Sequence, residues 1–263
     1  MELISGVVIT LNEEKNIKAC LESLKPFCDE IVVVDSFSTD KTLEVAACYT
    51  SRIFKRKPDT IIEQINYATG LASHKWVFFL DADERVTPSL AEKINAMKRD
   101  GFTADSYTVN RLNYYVNGFF KYCGWYPDTK IRLFDRTKGS WGGEEPHYKV
   151  VMNRDASTMH LKKDIIHFTY RDLTHQIEKM NRFSSQSAGS KPDRSDFTIL
   201  LHLILNPLVR FVKCFFFQGG FLAGPKGLIN SVIVSFYVFA KYAKMWEKKH
   251  ARNPDPESGM NEW

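Results

Sequence analysis

The sequence has few features that would tie it to a disulfide scaffold, a zinc module or a secreted chain. Its five cysteines (Cys20, Cys28, Cys48, Cys123, Cys214) are scattered, odd in number and free of any CxxC pair. A disulfide framework or zinc site is therefore not expected, and reduced thiols in a cytosol fit better. The opening Met1-Glu2-Leu3-Ile4-Ser5 lacks a basic region leading into a long apolar run, so it reads as the start of a strand and not as a signal peptide. No internal repeat is visible. No glycine-rich, basic phosphate loop follows the first apolar run, which ranks a nucleotidyltransferase low. Charge of one sign is also scarce: a net +5 over 263 residues suits an acidic partner such as a diphosphate or an anionic membrane, and nucleic acid is not expected as a partner.

What is present is an alternation of short apolar runs and helical periods. Leu3–Leu11 is rich in β-branched residues and ends at Asn12-Glu13-Glu14, where Asn12 suits a helix N-cap. Ile17, Leu21 and Leu24 recur at helical spacing until Pro26. Ile31–Asp35 reads as a buried strand, Asp40–Ala47 as a helix, Arg52–Phe54 as a brief strand and Ile62–Leu71 as a helix. Trp76–Leu80 is an apolar strand ending at Asp81, and Thr87-Pro88 opens a further helix with a capping threonine. This pattern predicts an α/β fold with a mainly parallel sheet flanked by helices. Ligands of such sheets bind at the carboxyl ends of the strands, where Asn12, Asp35 and Asp81 all fall.

Asp81-Ala82-Asp83-Glu84 offers two carboxylates one residue apart just after a buried strand. Magnesium or manganese prefers a few carboxylates plus phosphate oxygens, and such an ion neutralises charge on a departing diphosphate. An acidic turn leading into the helix at Pro88 is the plainer alternative. Asp35 could accept a hydrogen bond from a nucleobase imide, or simply end its strand. Thr10, Asn12 and Glu14 are each as readily caps as ligands. Lys130 and Arg132 could meet a phosphate or be solvated surface charge. From about Phe102 to Phe168 aromatics are dense, which predicts short strands and active-site loops. Phe197–Phe217 and Leu228–Tyr242 are long apolar stretches. Pro207, Arg210 and Lys213 argue against spanning, and nearby basic residues suit an interfacial helix pair, with a hairpin packed on the catalytic domain as the alternative.

Taken together, Val8–Glu14, Ile31–Ser36 with Thr39-Asp40, and Phe79–Arg85 resemble the family 2 inverting glycosyltransferases of GT-A fold, in both order and spacing. Gly124–Pro127, Arg132–Phe134, Pro146-His147 and Tyr237–Trp246 are similar to the lipopolysaccharide core glucosyltransferase subgroup. The resemblance implies donor recognition by Asp35 and binding of a divalent cation (Mg or Mn) through Asp81-Ala82-Asp83, with Asp83 the more direct ligand. Thr10, Asn12, Glu14 and Arg132 join the donor site. It also implies inversion, which needs a base on the acceptor side. Relatives carry an acidic residue directly after the histidine, where this chain has Tyr148, so the base falls to Glu145 or Glu144.

The expected organisation is a catalytic domain over 1–172, with a donor half (1–100) and an acceptor half (101–172). A helical, membrane-associating extension over 173–252 and a flexible tail over 253–263 complete it. The expected activity is transfer of a sugar, such as glucose from a UDP donor, to a lipid-linked envelope glycan at the cytoplasmic face of the inner membrane. An inactive nucleotide-sugar-binding scaffold is the alternative.

Overall fold

Alternation along the first strands sets the architecture. In Val7 and Val8, or Phe78 and Phe79, successive side chains enter opposite apolar layers, and all four are fully buried. A strand buried on both faces must lie inside a layered sheet. The computed structural model describes residues 2–144, 148–189 and 195–251. In chain order the elements are β1 (Ile4–Thr10), α1 (Ile17–Leu24), β2 (Glu30–Asp35), α2 (Thr42–Ala47), β3 (Ile53–Lys55), α3 (Ile61–Gly70), β4 (Trp76–Asp81), β5 (Glu84–Val86) and α4 (Pro88–Asp100). There follow β6 (Ser106–Tyr115), β7 (Gly118–Phe120), β8 (Asp128–Asp135), β9 (Gly139–Gly142), β10 (Lys149–Met152), β11 (Thr158–His167), α5 (Leu173–Gly189), α6 (Asp196–Val212) and α7 (Pro225–His250).

The chain divides into two compact units, one formed by residues 1–115 and 126–169, the other by 116–125 and 170–263. The sequence placed 116–125 in the acceptor half; it groups instead with the C-terminal helices.

In the first unit the central sheet runs β3-β2-β1-β4-β8-β6-β11-β5. The pairs β3–β2, β2–β1, β1–β4 and β6–β11 are parallel, while β8 and β5 run antiparallel to their neighbours. One face packs Val8, Phe78 and Leu80 against Leu21 and Leu24 of α1 and Leu90 and Ile94 of α4. The other packs Val7, Val32 and Phe79 against Ile65 and Ala68 of α3, with Trp141 and Val150 of the separate β9–β10 hairpin.

Three local expectations change. Asn12 does not cap a helix: its backbone is left-handed (φ 56°), α1 begins at Ile17, and the residue at the cap position is Asn16. Thr87 does precede Pro88, but its hydroxyl donates to the Asp164 carbonyl (2.7 Å) and caps nothing. The 102–168 region is not built of short strands alone. β6 and β11 are ten residues each and pair in parallel, from Thr158 opposite Ser106 to His167 opposite Asn113.

In the second unit α7 packs against both α5 and α6. Past α6 the chain passes through a wider π turn (Lys213–Phe217) and a tighter 3-10 turn (Gly220–Ala223) before α7. Pro207 lies inside α6 without ending it. Asp196–Phe217 is 22 residues, and with a mean hydropathy of 1.7 over its most apolar 18 residues it is long and apolar enough to cross a membrane by length and composition.

Candidate functional site

Parallel pairing brings three strand ends side by side. Thr10 is the register partner of Asp35, and Ile9 is the partner of Asp81, so the polar residues closing β1, β2 and β4 share one edge of the sheet. Thr10 is buried, and its hydroxyl takes no hydrogen-bond partner among the described residues. Asp35 is fully buried; one carboxylate oxygen accepts from the Ser38 N–H (2.8 Å) and the other from the Ser38 hydroxyl (2.5 Å). Each oxygen retains a lone pair for a further donor.

Asn12 and Glu14 join the loop after β1 to the loop after β2. The Asn12 Oδ1 accepts from the Thr39 N–H (2.8 Å), and its own N–H donates to Ser38 Oγ (2.8 Å). Glu14 accepts from the Lys41 N–H at 3.2 Å, while its own N–H donates to Asp40 (3.1 Å). Both residues shape the rim by holding these loops together. Gln64 of α3 was not singled out from the sequence. It is buried beneath the same rim and donates to Ser36 Oγ at 3.1 Å and the Arg56 carbonyl at 3.3 Å.

At the end of β4 the chain turns through Ala82, whose methyl packs in the core and spaces the two aspartates, and β5 then pairs with β11. That pairing sets Glu84 opposite His167. The His167 Nδ1 lies 2.7 Å from Asn113 Oδ1, which also accepts from Thr169 (2.7 Å). An amide oxygen only accepts, so the ring donates to it from Nδ1, and Nε2 faces Asp83 Oδ2, 3.4 Å away. His167 carried no signal in the sequence beyond its place at the end of an apolar strand.

Arg132 is placed differently from either sequence reading. It is 3% exposed and neither solvated nor free to meet a phosphate. Its Nη2 donates to Glu84 Oε1 (2.5 Å) and to Asp81 Oδ2 (3.2 Å), while its guanidinium lies 5.4 Å from the Phe79 ring centroid. Glu84 is fully buried, accepts from the Asp81 N–H (3.2 Å) and has Arg111 at 3.7 Å. Arg111 and Lys130 both pair with Asp128. Burial, then the charge of Glu84, pushes the Asp81 carboxyl up to about 6. Its field, followed by burial, raises the phenol of Tyr148 in turn.

Asp81 and Asp83 therefore flank Ala82 at one strand-end turn, with His167 of β11 facing Asp83. Among the described residues no three His, Cys, Asp or Glu side chains converge enough to hold an ion by themselves. The set fits a cation that takes its remaining ligands from phosphate and water, the habit of magnesium and manganese.

The loop that carries the expected base joins β9 to β10. Asn66 of α3 clamps the backbone of Trp141, donating to its carbonyl at 2.9 Å and accepting from its N–H at 3.0 Å. The indole packs edge-on against Phe79 and at 5.8 Å from Tyr148. Glu144 follows, exposed to solvent. Glu145, Pro146 and His147 lie outside the described residues, as does the tail from 252.

The family model described as "Glycosyl transferase family 2" matches residues 5–158. An uncharacterized glycosyltransferase of Rickettsia typhi is 28% identical over 94% of this chain and 88% of its own length. The lipopolysaccharide core biosynthesis glycosyltransferase LpsC of Rhizobium meliloti is 27% identical over 96% of this chain and 95% of its own. Among solved structures, S. aureus TarS 1–349 aligns at 15% identity with a TM-score of 0.44, covering 96% of this chain and 92% of that one. Glucosyl-3-phosphoglycerate synthase of Mycobacterium tuberculosis, in complex with Mg2+ and UDP, aligns at 25% identity with a TM-score of 0.36. That alignment covers 43% of this chain and 44% of the synthase, under half of its length. The mixed sheet with helices on both faces is the expected GT-A arrangement, and the matched segment takes in the ends of β1, β2 and β4. The chain belongs to glycosyl transferase family 2.

Proposed function

We propose that the chain transfers a hexose, such as glucose, from a UDP donor to a lipid-linked glycan of the lipopolysaccharide core type, with inversion at the anomeric carbon and with magnesium or manganese. The observation that supports this most is the common edge formed by Thr10, Asp35, Asp81 and Asp83, with His167 facing Asp83. The name of the Rhizobium relative supports the choice of acceptor, and the complex of the Mycobacterium synthase with Mg2+ and UDP is in keeping with the donor and cation.

On this reading Asp35 accepts the base imide N–H, with its own orientation fixed by Ser38. Asp83 and Asp81, with the Nε2 of His167 beside Asp83, would hold the cation, which would supply Lewis-acid stabilisation of the leaving diphosphate. Arg132 stays buried and keeps Asp81 and Glu84 from repelling one another apart. Glu144 or Glu145, on the loop steadied by the Asn66 clamp, removes the acceptor hydroxyl proton as that oxygen attacks opposite the leaving group. Residues 1–100 would then form the donor half, and 101–115 with 126–169 the acceptor half. The chain would work at the cytoplasmic face of the inner membrane, its basic residues meeting anionic headgroups.

The test is UDP release from a panel of UDP-hexoses with Mn2+ or Mg2+. One donor is expected to stand out, EDTA to abolish release, and Asp83→Ala to lower the rate by about a hundredfold or more. Release that is unaffected by Asp83→Ala and EDTA would sink the cation assignment.

A further inference from the structure

The second unit buries polar side chains beside a small apolar cluster of Ala188, Tyr242 and Met245, and leaves many large apolar ones exposed. Gln176 of α5 and Asn230 and Ser231 of α7 are fully buried, as is Ser184 of α5. They pair with one another and with their neighbours: Gln176 donates to Asn230 (3.4 Å), Asn230 to Cys214 Sγ (3.8 Å) and Ser231 to the Gly227 carbonyl (2.7 Å). Small residues let the backbone close up. A Cβ at Gly227 would sit 1.7 Å from the Gly220 carbonyl oxygen. The large apolar side chains point the other way. Ile204 is 62% exposed, Leu208 61% and Phe217 82%. On α6 they form one stripe at helical spacing (Phe197, Leu201, Ile204, Leu208, Val212), continued by Phe216, Phe221 and Leu222 in the turns. Leu228, Val232, Phe236 and Phe239 form a second stripe along α7.

In water this arrangement exposes what folding normally hides. Small and hydrogen-bonded polar residues at helix contacts, with apolar side chains outward, are the pattern of helices packed in lipid. Charge placement decides between crossing and lying flat. The runs free of Asp, Glu, Lys and Arg are Phe197–Val209 on α6 and Gly227–Ala240 on α7, 13 and 14 residues. At 1.5 Å per residue each covers about 20 Å, against a hydrocarbon core of about 30 Å. Arg210, Lys213 and Lys226 close the runs at the turn end; at the other end Lys241 and Lys244 close the α7 run, and Asp196, paired with Lys249, closes the α6 run. A one-sided stripe with basic flanks fits a helix lying in the interfacial plane, its apolar face about 5–10 Å deep.

We infer that α6, the 213–223 turns and α7 form a monotopic wedge seated in one leaflet of an anionic bilayer, held by acyl-chain contact and not by charge alone. This goes beyond the headgroup contact of the proposed function and does not depend on the transferase chemistry. It is tested with the full chain by flotation on large vesicles of DOPC/DOPG (7:3). The expected result is co-flotation that persists in 1 M NaCl, together with quenching of a Phe216→Trp reporter by acyl-brominated lipid. Ile204→Glu with Leu208→Glu is expected to cut the vesicle-bound fraction at least tenfold. Both sites are exposed, so the far-UV spectrum and melting point of that variant should match the parent. Flotation lost in high salt, an unquenched reporter, full binding by the double glutamate variant, or a stable dimer that stays at the bottom of the gradient would each overturn the wedge.

Discussion

Removing the Arg132 guanidinium, as in Arg132→Met, is expected to be among the most damaging single changes in the first unit. Arg132 is 3% exposed and Glu84 not at all, so neither side chain can reach water when its partner is lost. Arg132→Met would leave Glu84 with only Arg111, 3.7 Å away, and Asp81 without its one buried cation. Breaking a buried ion pair from one side costs about 3–5 kcal/mol, because the remaining charge stays desolvated. Methionine nearly conserves volume, so little of that loss is cavity. Urea unfolding followed by near-UV circular dichroism measures it. The double variant Arg132→Met/Glu84→Gln removes the stranded charge and should recover about 2 kcal/mol or more of the loss, a coupling typical of directly paired groups. A single-variant loss below about 1 kcal/mol, the size of an exposed pair, would refute the reasoning. So would a double variant no more stable than the single.

Other outcomes follow from the same geometry. Asp35→Asn turns one acceptor oxygen into a donor, which must face either the Ser38 N–H or its hydroxyl or else the donor base, and should weaken UDP binding by about 10- to 100-fold, or about 1.4–2.8 kcal/mol, read by calorimetry. Asn66→Ala unclamps Trp141 and should lower turnover while UDP affinity holds, and an equal loss of both would show that the clamp serves the donor site instead. Glu144→Gln and Glu145→Gln separate the base candidates: the true base loses about 10²–10⁴ in turnover with normal UDP binding, and near-normal turnover in both variants would remove this loop from the chemistry. Gly227→Ala has no room beside the Gly220 carbonyl and should lower the yield of folded chain, whereas Gly189→Ala, with open space, should not.

Much of the first unit was legible because β1, β2 and β4 are buried on both faces and so appear as unbroken apolar runs. Their ends were equally plain, since Asp35 and Asp81 interrupt those runs with carboxylates. The rest depended on pairings distant in sequence. Arg132 read as a donor-site or surface cation because its partner Glu84 lies 48 residues away, and Asn66 gave no hint of its clamp on a backbone 75 residues on. His167 reaches the acidic turn only through the β11–β5 register. Asn12 misled for a different reason: an asparagine before two glutamates is a sound cap locally, but the Thr39 N–H claims its side chain and the backbone turns left-handed. In the second unit the apolar runs were evident in the sequence. The polar interior behind them was not, because which face of a helix packs inward depends on its neighbours.

The most direct measurement is calorimetric titration of UDP into the full chain, with and without Mn2+, for the parent and for Asp83→Ala. The constellation of Asp35, Asp81, Asp83 and His167 predicts UDP binding that Mn2+ tightens at least tenfold in the parent and leaves unchanged in Asp83→Ala. UDP binding equally tight without the ion, or tightened equally in both proteins, would contradict it.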